Sequence, residues 1–200
     1  MTDTLAQYRR TLDTFDSVID AVQPDQWSNP TPCPDWNARA IAGHVTGGQQ
    51  MLRALAIGTE PPNPWVDPAG FAGEHPGQAW REARTSCLAA LTPANLDRTF
   101  IYEGYQDTVG RFVTTITFDL LGHTWDLAQA SGQHVVLPAD LVEEMLAWGR
   151  AGDAVLRRPG FLGPALTAPD DADVQSQFIA FLGRAEPEAD RLHRSEAFAG

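Results

Sequence analysis

Four stretches of the chain repeat their apolar residues every three or four positions, and proline or glycine closes each of them. Leu5, Tyr8, Leu12, Phe15, Val18, Ile19 and Val22 make the first row, which Pro24 ends. Ile41, Val45, Leu52 and Leu55 carry the second, together with His44 and Gly48, over a helix expected from about residue 37 to residue 57. A third helix is expected over 78–91. A fourth is expected over 111–131, where Gly132 takes the left-handed position that commonly follows a helix. This spacing matches one face of an α-helix. Each amphipathic helix must cover its apolar stripe against another element, so the spacing predicts a mainly α fold, a four-helix bundle.

The rest of the chain decorates that bundle. "WSNPTPCPDW", residues 27–36, is too rich in proline for helix, and Asp35 is placed to cap the helix that follows. Residues 58–77 are dense in proline and glycine and read as a long surface loop that could lie over a pocket. Between Asp97 and Val109, β-favouring residues around Glu-Gly predict a short hairpin. Pro138 opens a fifth helix, "PADLVEEMLAWGRAGDAVLRR", and one short C-terminal helix is expected over 172–183. The expectation is therefore a single domain over residues 1–187 with a polar tail over 188–200.

Charge narrows the partners. The 14 basic residues, all arginine, face 26 acidic ones, for a net charge of -12. Such a chain lacks the basic footprint of a nucleic-acid or anionic-membrane binder. No apolar run approaches the roughly 20 residues that cross a bilayer. Cys33 and Cys87 lack CxxC spacing and no apolar leader opens the chain, which points to a reduced, cytoplasmic protein. G-x-S-x-G, P-loop and G-x-G-x-x-G signatures are absent.

Polar residues interrupt the inward face of the fourth helix. In "FDLLGHTWDLA", residues 118–128, Asp119 and His123 are four apart and stack on one face, in line with Ile116 and Leu127. An ionised carboxylate buried alone is severely unfavourable; a divalent cation would neutralise it and use the lone pair of a neutral imidazole. His44 sits in the inward row of the second helix. If the second and fourth helices are neighbours, two imidazoles and one carboxylate converge, which leaves coordination positions open for water or substrate. Asp126 is a candidate acceptor for an imidazole N–H, or for an arginine of another helix. The bland account stands beside this one: D-x-x-x-H arises by chance, and a core histidine can simply bond a carbonyl. His75, His134 and His193 lie in loop, turn and tail sequence.

Other residues carry two readings as well. Cys33 precedes a helix N-terminus that would lower its pKa, yet a small side chain filling a tight turn is the better account of it. Cys87 reads as packing, and Trp27, Trp36, Trp125 and Trp148 as core or helix-staple residues. Gly47-Gly48 costs about 1 kcal/mol per glycine relative to alanine, which suggests close helix approach beside His44 or room for a ligand.

"PTPCPDWNARAIAGHVTGG", "FDLLGHTWDLAQASG" and "PDDADVQSQFIAFLGRAEP" together resemble the actinobacterial metal-binding proteins of the DinB-like superfamily, related to the N-terminal domain of mycothiol-dependent maleylpyruvate isomerase. The resemblance spans about residues 5–187. It implies a bundle that holds zinc or nickel through one residue of the second helix and an i, i+4 pair on a later one, matching His44, Asp119 and His123. In the isomerase the carboxylate is glutamate, so Asp119 departs from that pattern by one methylene, and the isomerase's separate C-terminal domain has no room here. The resemblance also implies mycothiol-type chemistry on a small-molecule substrate, with arginines holding the cofactor's polar groups; Arg53, Arg81 and Arg111 are candidates.

Two functions follow. One is a metal-dependent enzyme, a transferase or isomerase acting through a thiol, or a biosynthetic metalloenzyme that has lost the thiol cofactor. The other is a non-enzymatic bundle that binds a small molecule or serves in stress response. Trp65 and Phe71, if exposed together, would offer a face for a homodimer.

Overall fold

The computed structural model describes residues 4–158, 162–190 and 194. His193 and most of the expected tail lie outside the described residues. Backbone contacts gather the chain into two compact units, Met1–Ser131 and Gly132–Gly200.

The first unit is the helical bundle. Its long helices are α1 (Thr4–Ala21), α2 (Ala38–Ile57), α4 (Pro76–Ala90) and α6 (Val109–Ala130), with two single-turn helices, α3 (Pro68–Phe71) and α5 (Pro93–Leu96), in the connections. α2 packs on both α4 and α6, and α1 packs on α6. The expected apolar rows face inward: Tyr8, Leu12, Phe15, Ile41, Leu52, Trp80, Leu121 and Leu127 are essentially without solvent exposure. Each such side chain contributes about 1.5–3 kcal/mol through burial. Phe15 and Trp80 meet with ring centroids 4.5 Å apart, and the Trp80 indole donates to Asp16 at 2.5 Å. Among the described residues no helix is long and apolar enough to cross a membrane.

The hairpin is present. β1 (Thr99–Tyr102) pairs antiparallel with β2 (Tyr105–Thr108), with Thr99 opposite Thr108 and Tyr102 opposite Tyr105. The two turn residues, Glu103 and Gly104, have φ of 47° and 79°, the left-handed pair that a two-residue hairpin of matching twist requires. α6 starts directly after β2, and Thr108 caps it by accepting the Arg111 N–H at 3.3 Å.

Three local expectations are corrected in this unit. Asp35 does not cap α2: a bridge between Pro30 and Asn37 holds the turn closed, and Asn37 accepts the Ala40 N–H at 2.9 Å instead. Residues 58–77 are not a loop lying loosely on the surface, because α3 seats on α2 and Pro64 and Ala72 are buried. Gly43 makes that possible. A side chain there would sit 1.9 Å from the Pro68 carbonyl oxygen, so the glycine lets the two backbones touch. At Gly47 the Cβ position lies 3.0 Å from the Pro64 side chain and 3.1 Å from the Phe71 ring, whereas nothing lies within 4 Å of the Cβ position at Gly48. Phe71 is accordingly half-buried against α2 rather than exposed with Trp65.

The second unit holds α7 (Ala139–Ala151), α8 (Asp153–Leu156) and α9 (Val174–Phe181), with α7 packed on α9. The fifth helix, expected to run unbroken through residue 158, divides at Gly152, where helix propensity is weakest. Pro138 stands one place before the helix rather than in its first turn. Asp173 caps α9 by accepting from the Ser176 N–H at 2.7 Å, and the buried Arg194 guanidinium pairs with both Asp173 and Glu186.

Candidate metal centre

α2 and α6 are neighbours, and their contact brings His44, Asp119 and His123 together. His44 Nε2 lies 3.3 Å from Asp119 Oδ2, and His123 Nε2 lies 3.4 Å from Asp119 Oδ1. The two imidazole centroids are 5.0 Å apart. Both histidines are buried, while 37% of the Asp119 side chain meets solvent. The centre is thus reached from the carboxylate side.

The far edge of each ring is already engaged. His44 Nδ1 is 3.2 Å from the Pro64 carbonyl oxygen, and His123 Nδ1 is 3.0 Å from Asp126 Oδ2. A carbonyl and a carboxylate only accept, so both rings carry their proton at Nδ1. In the neutral rings the Nε2 lone pairs then point at carboxylate oxygens, an arrangement that repels unless positive charge stands between. That charge is a proton on imidazole or a cation. Bonds of about 2.0–2.1 Å at tetrahedral angles set donor atoms about 3.3 Å apart, the separation observed here. The residues present fit a divalent ion.

The same electrostatics appear in the acidities. Burial disfavours the charged form of Asp119, but the attraction of His123 and then His44 outweighs it and holds the carboxyl well below the ordinary range. Burial also lowers the basicity of His123, yet Asp119 and Asp126 raise it to about 9. Asp126 is fully buried at the expected outer position, one turn beyond His123.

Aromatic side chains wall the centre. Trp36 packs tilted against both rings, with centroids 4.5 Å from His44 and 5.5 Å from His123, and Trp65 meets the His44 ring edge-on at 5.4 Å. Sequence reasoning places Trp36 with the core and gives Pro64 no role, because the first depends on how the turn before α2 closes and the second on how residues 58–77 fold back on α2. Hydrogen bonds hold the turn before α2 in place. The Asn29 amide donates to the Ala130 carbonyl at 2.8 Å and the Gln26 amide to the Ser131 carbonyl at 3.0 Å, at the end of α6. Cys33 lies in this turn, half-buried, with its sulfur within 4.8 Å of donor atoms of His123 and Asp126.

The candidate arginines have partners or surroundings of their own. Arg81 pairs with Asp20 at 2.7 Å and Arg111 with Asp107 at 2.9 Å, both on the surface. Arg53 lines a groove of about 560 Å³ with Gln50, Glu60, Glu82 and Ser86, a lining that includes none of the three clustered donors. His134 pairs with Asp190 at 2.8 Å in the second unit, and His75 precedes α4.

Residues 8–128 match the family model described as the mycothiol maleylpyruvate isomerase N-terminal domain. Two curated sequences of Mycobacterium tuberculosis, from strains CDC 1551 / Oshkosh and ATCC 25618 / H37Rv and each described as an uncharacterized protein, are 34% identical over 189 residues, covering 91% of this chain and 98% of theirs. No solved structure matches.

Proposed function

The chain belongs to the mycothiol maleylpyruvate isomerase N-terminal domain family, and on that premise we propose that it is a divalent-metal-dependent enzyme that transfers a mycothiol-type thiol to a small molecule or uses it to isomerise one. His44, Asp119 and His123 are the proposed ligands. The observation that carries the proposal is the pair of Nε2 atoms facing one carboxylate while both Nδ1 atoms are tied to acceptors.

A divalent ion held there would lower the pKa of a bound thiol and stabilise its thiolate at neutral pH. The chain's own residues set the conditions for that. Asp126 fixes the tautomer of His123 and makes its Nε2 a better donor, and the Pro64 carbonyl does the same for His44. Two neutral imidazoles and one carboxylate leave a divalent ion with net charge +1, which favours an anionic sulfur as the next ligand. Trp36 and Trp65 pack against His44, and both histidines are buried, so the histidine side is shielded from water. The partly exposed edge of Asp119 leaves the approach for a thiol and a small electrophile.

The test is elemental analysis of protein purified without chelator, alongside His44→Ala, followed by a transfer assay with mycothiol as donor. One equivalent of zinc, nickel or a similar ion, lost in the variant together with transfer activity, supports the reading. Protein that neither contains nor takes up metal refutes it.

A further inference from the structure

A second group of ligating atoms adjoins the first, shares His123 with it, and adds Cys33, which has no part in the proposed thiol chemistry. Cys33 Sγ, a donor atom of His123 and a carboxylate oxygen of Asp126 all lie within 4.8 Å of one another. They come from two separate segments. His123 and Asp126 belong to one turn of α6, and Cys33 is carried to them by the turn that Asn29 and Gln26 tie to the end of the same helix.

That turn is stiff. The Cys33 N–H donates to Thr31 Oγ1 at 3.1 Å, and the Trp36 N–H donates to the Cys33 carbonyl at 3.3 Å. Prolines on both sides of Cys33 restrict it further. The sulfur is therefore presented at a fixed place.

We propose that Cys33, His123 and Asp126 form a second coordination site, selective for a thiophilic cation of the cadmium or zinc type, on the edge of the His123 ring opposite the first centre. A thiolate is a soft ligand, so this group discriminates toward soft and borderline ions where the first, with nitrogen and oxygen donors only, does not. Thiolate and carboxylate together cancel the charge of a divalent ion, which suits a site whose carboxylate has no solvent exposure.

The shared histidine couples the sites. Coordination at the Asp126 edge uses Nδ1, so the Nδ1 proton and the Cys33 thiol proton go to solvent. His123 presents Nε2 to Asp119 and Nδ1 to Asp126, so one ring serves both sites and occupation of either changes the ligand the other receives.

The test is a cadmium titration of the full chain after metal removal, following the ultraviolet thiolate-to-cadmium absorption. One equivalent of absorption is expected in the wild type, in His44→Ala and in Cys87→Ala. None is expected in Cys33→Ser. Cys87 is a useful control because burial pushes its thiol up to about 12. Asp126→Asn should weaken cadmium binding at least tenfold, and thermal melts of all variants separate loss of site from loss of fold. No absorption in the wild type would overturn the proposal, as would absorption that survives Cys33→Ser. Absorption lost in a folded His44→Ala would equally overturn it, by making Cys33 a fourth ligand of the first centre. Because His44→Ala removes the first centre alone, the outcome is independent of the proposed thiol chemistry.

Discussion

Replacing Gly43 by alanine tests whether the contact between α2 and residues 64–72 builds the centre. On an isolated helix the change would stabilise by about 1 kcal/mol. Here the new Cβ would lie 1.9 Å from the Pro68 carbonyl oxygen, 2.9 Å from its carbon and 3.0 Å from the Ala72 nitrogen. Carbon and carbonyl oxygen approach to about 3.3 Å at closest, so the Pro68 backbone must retreat by more than an ångström. A backbone atom cannot swing aside as a side-chain tip would. Overpacking of this severity belongs at the upper end of the usual 1–3 kcal/mol, leaving a net loss of about 2 kcal/mol after the helix gain. For a chain of this length that is about 4–8 °C in Tm. Gly48→Ala is the matched control, since nothing lies within 4 Å of its Cβ position; it should gain up to about 1 kcal/mol. Urea and thermal unfolding followed by circular dichroism read both. Gly43→Ala should also weaken metal binding, because Pro64 on the displaced segment is the acceptor for His44. Equal stability of the two alanine variants, or a Gly43→Ala protein at or above wild type, would refute the reasoning.

Other expectations follow from the same geometry. Asp126→Asn should keep the fold but lower metal affinity at the first centre by about 10–100-fold, measured by competition with a chromophoric chelator. The pH dependence of metal-free stability has a defined sign. His123 is raised to about 9, so its contribution is fully present below an unfolded pKa of about 6.5 and is lost as pH rises through 9. That loss amounts to at most about 3 kcal/mol, counted once for the coupled pair with Asp119. Asp119 is lowered, so its contribution is present above about pH 4 and lost on further acidification. Saturating zinc should remove the alkaline loss, since the ion replaces the proton; unfolding midpoints across pH 5–10 with and without zinc check this. Asn37→Ala should cost about 1 kcal/mol by uncapping α2, seen as a lower urea midpoint with an unchanged slope.

The parts of this molecule legible in the sequence are those governed by local periodicity. The apolar rows of α1, α2, α4 and α6, and the stop at Gly132 with φ of 68°, follow from spacing and from single-residue conformational preference. His44, Asp119 and His123 stood out because polar side chains broke those rows, and the break survives in three dimensions as one cluster. What did not follow from spacing depends on backbone meeting backbone. Proline and glycine in 58–77 signalled irregular structure correctly, but not that Gly43 would admit it against α2. Hence Pro64 and Trp65 were invisible as partners of His44. Cys33 was weighed only with its neighbours in the turn, and its proximity to Asp126 exists only because Asn29 and Gln26 reach the end of α6.

Those two tethers join residues 101 and 105 positions apart, which bears on the order of events when the chain is made. During synthesis His44 emerges while Asp119, His123 and the carbonyls that anchor the Cys33 turn are still to be added. Neither proposed group of ligands can then discriminate among ions, because each owes its geometry to an element from the far end of the bundle. On the proposed reading, selection of an ion waits until α6 is complete and docked. An ion bound afterwards favours the folded state by mass action, so starving the growing cell of metal should shorten the lifetime of the finished protein more than it slows the folding of the new one.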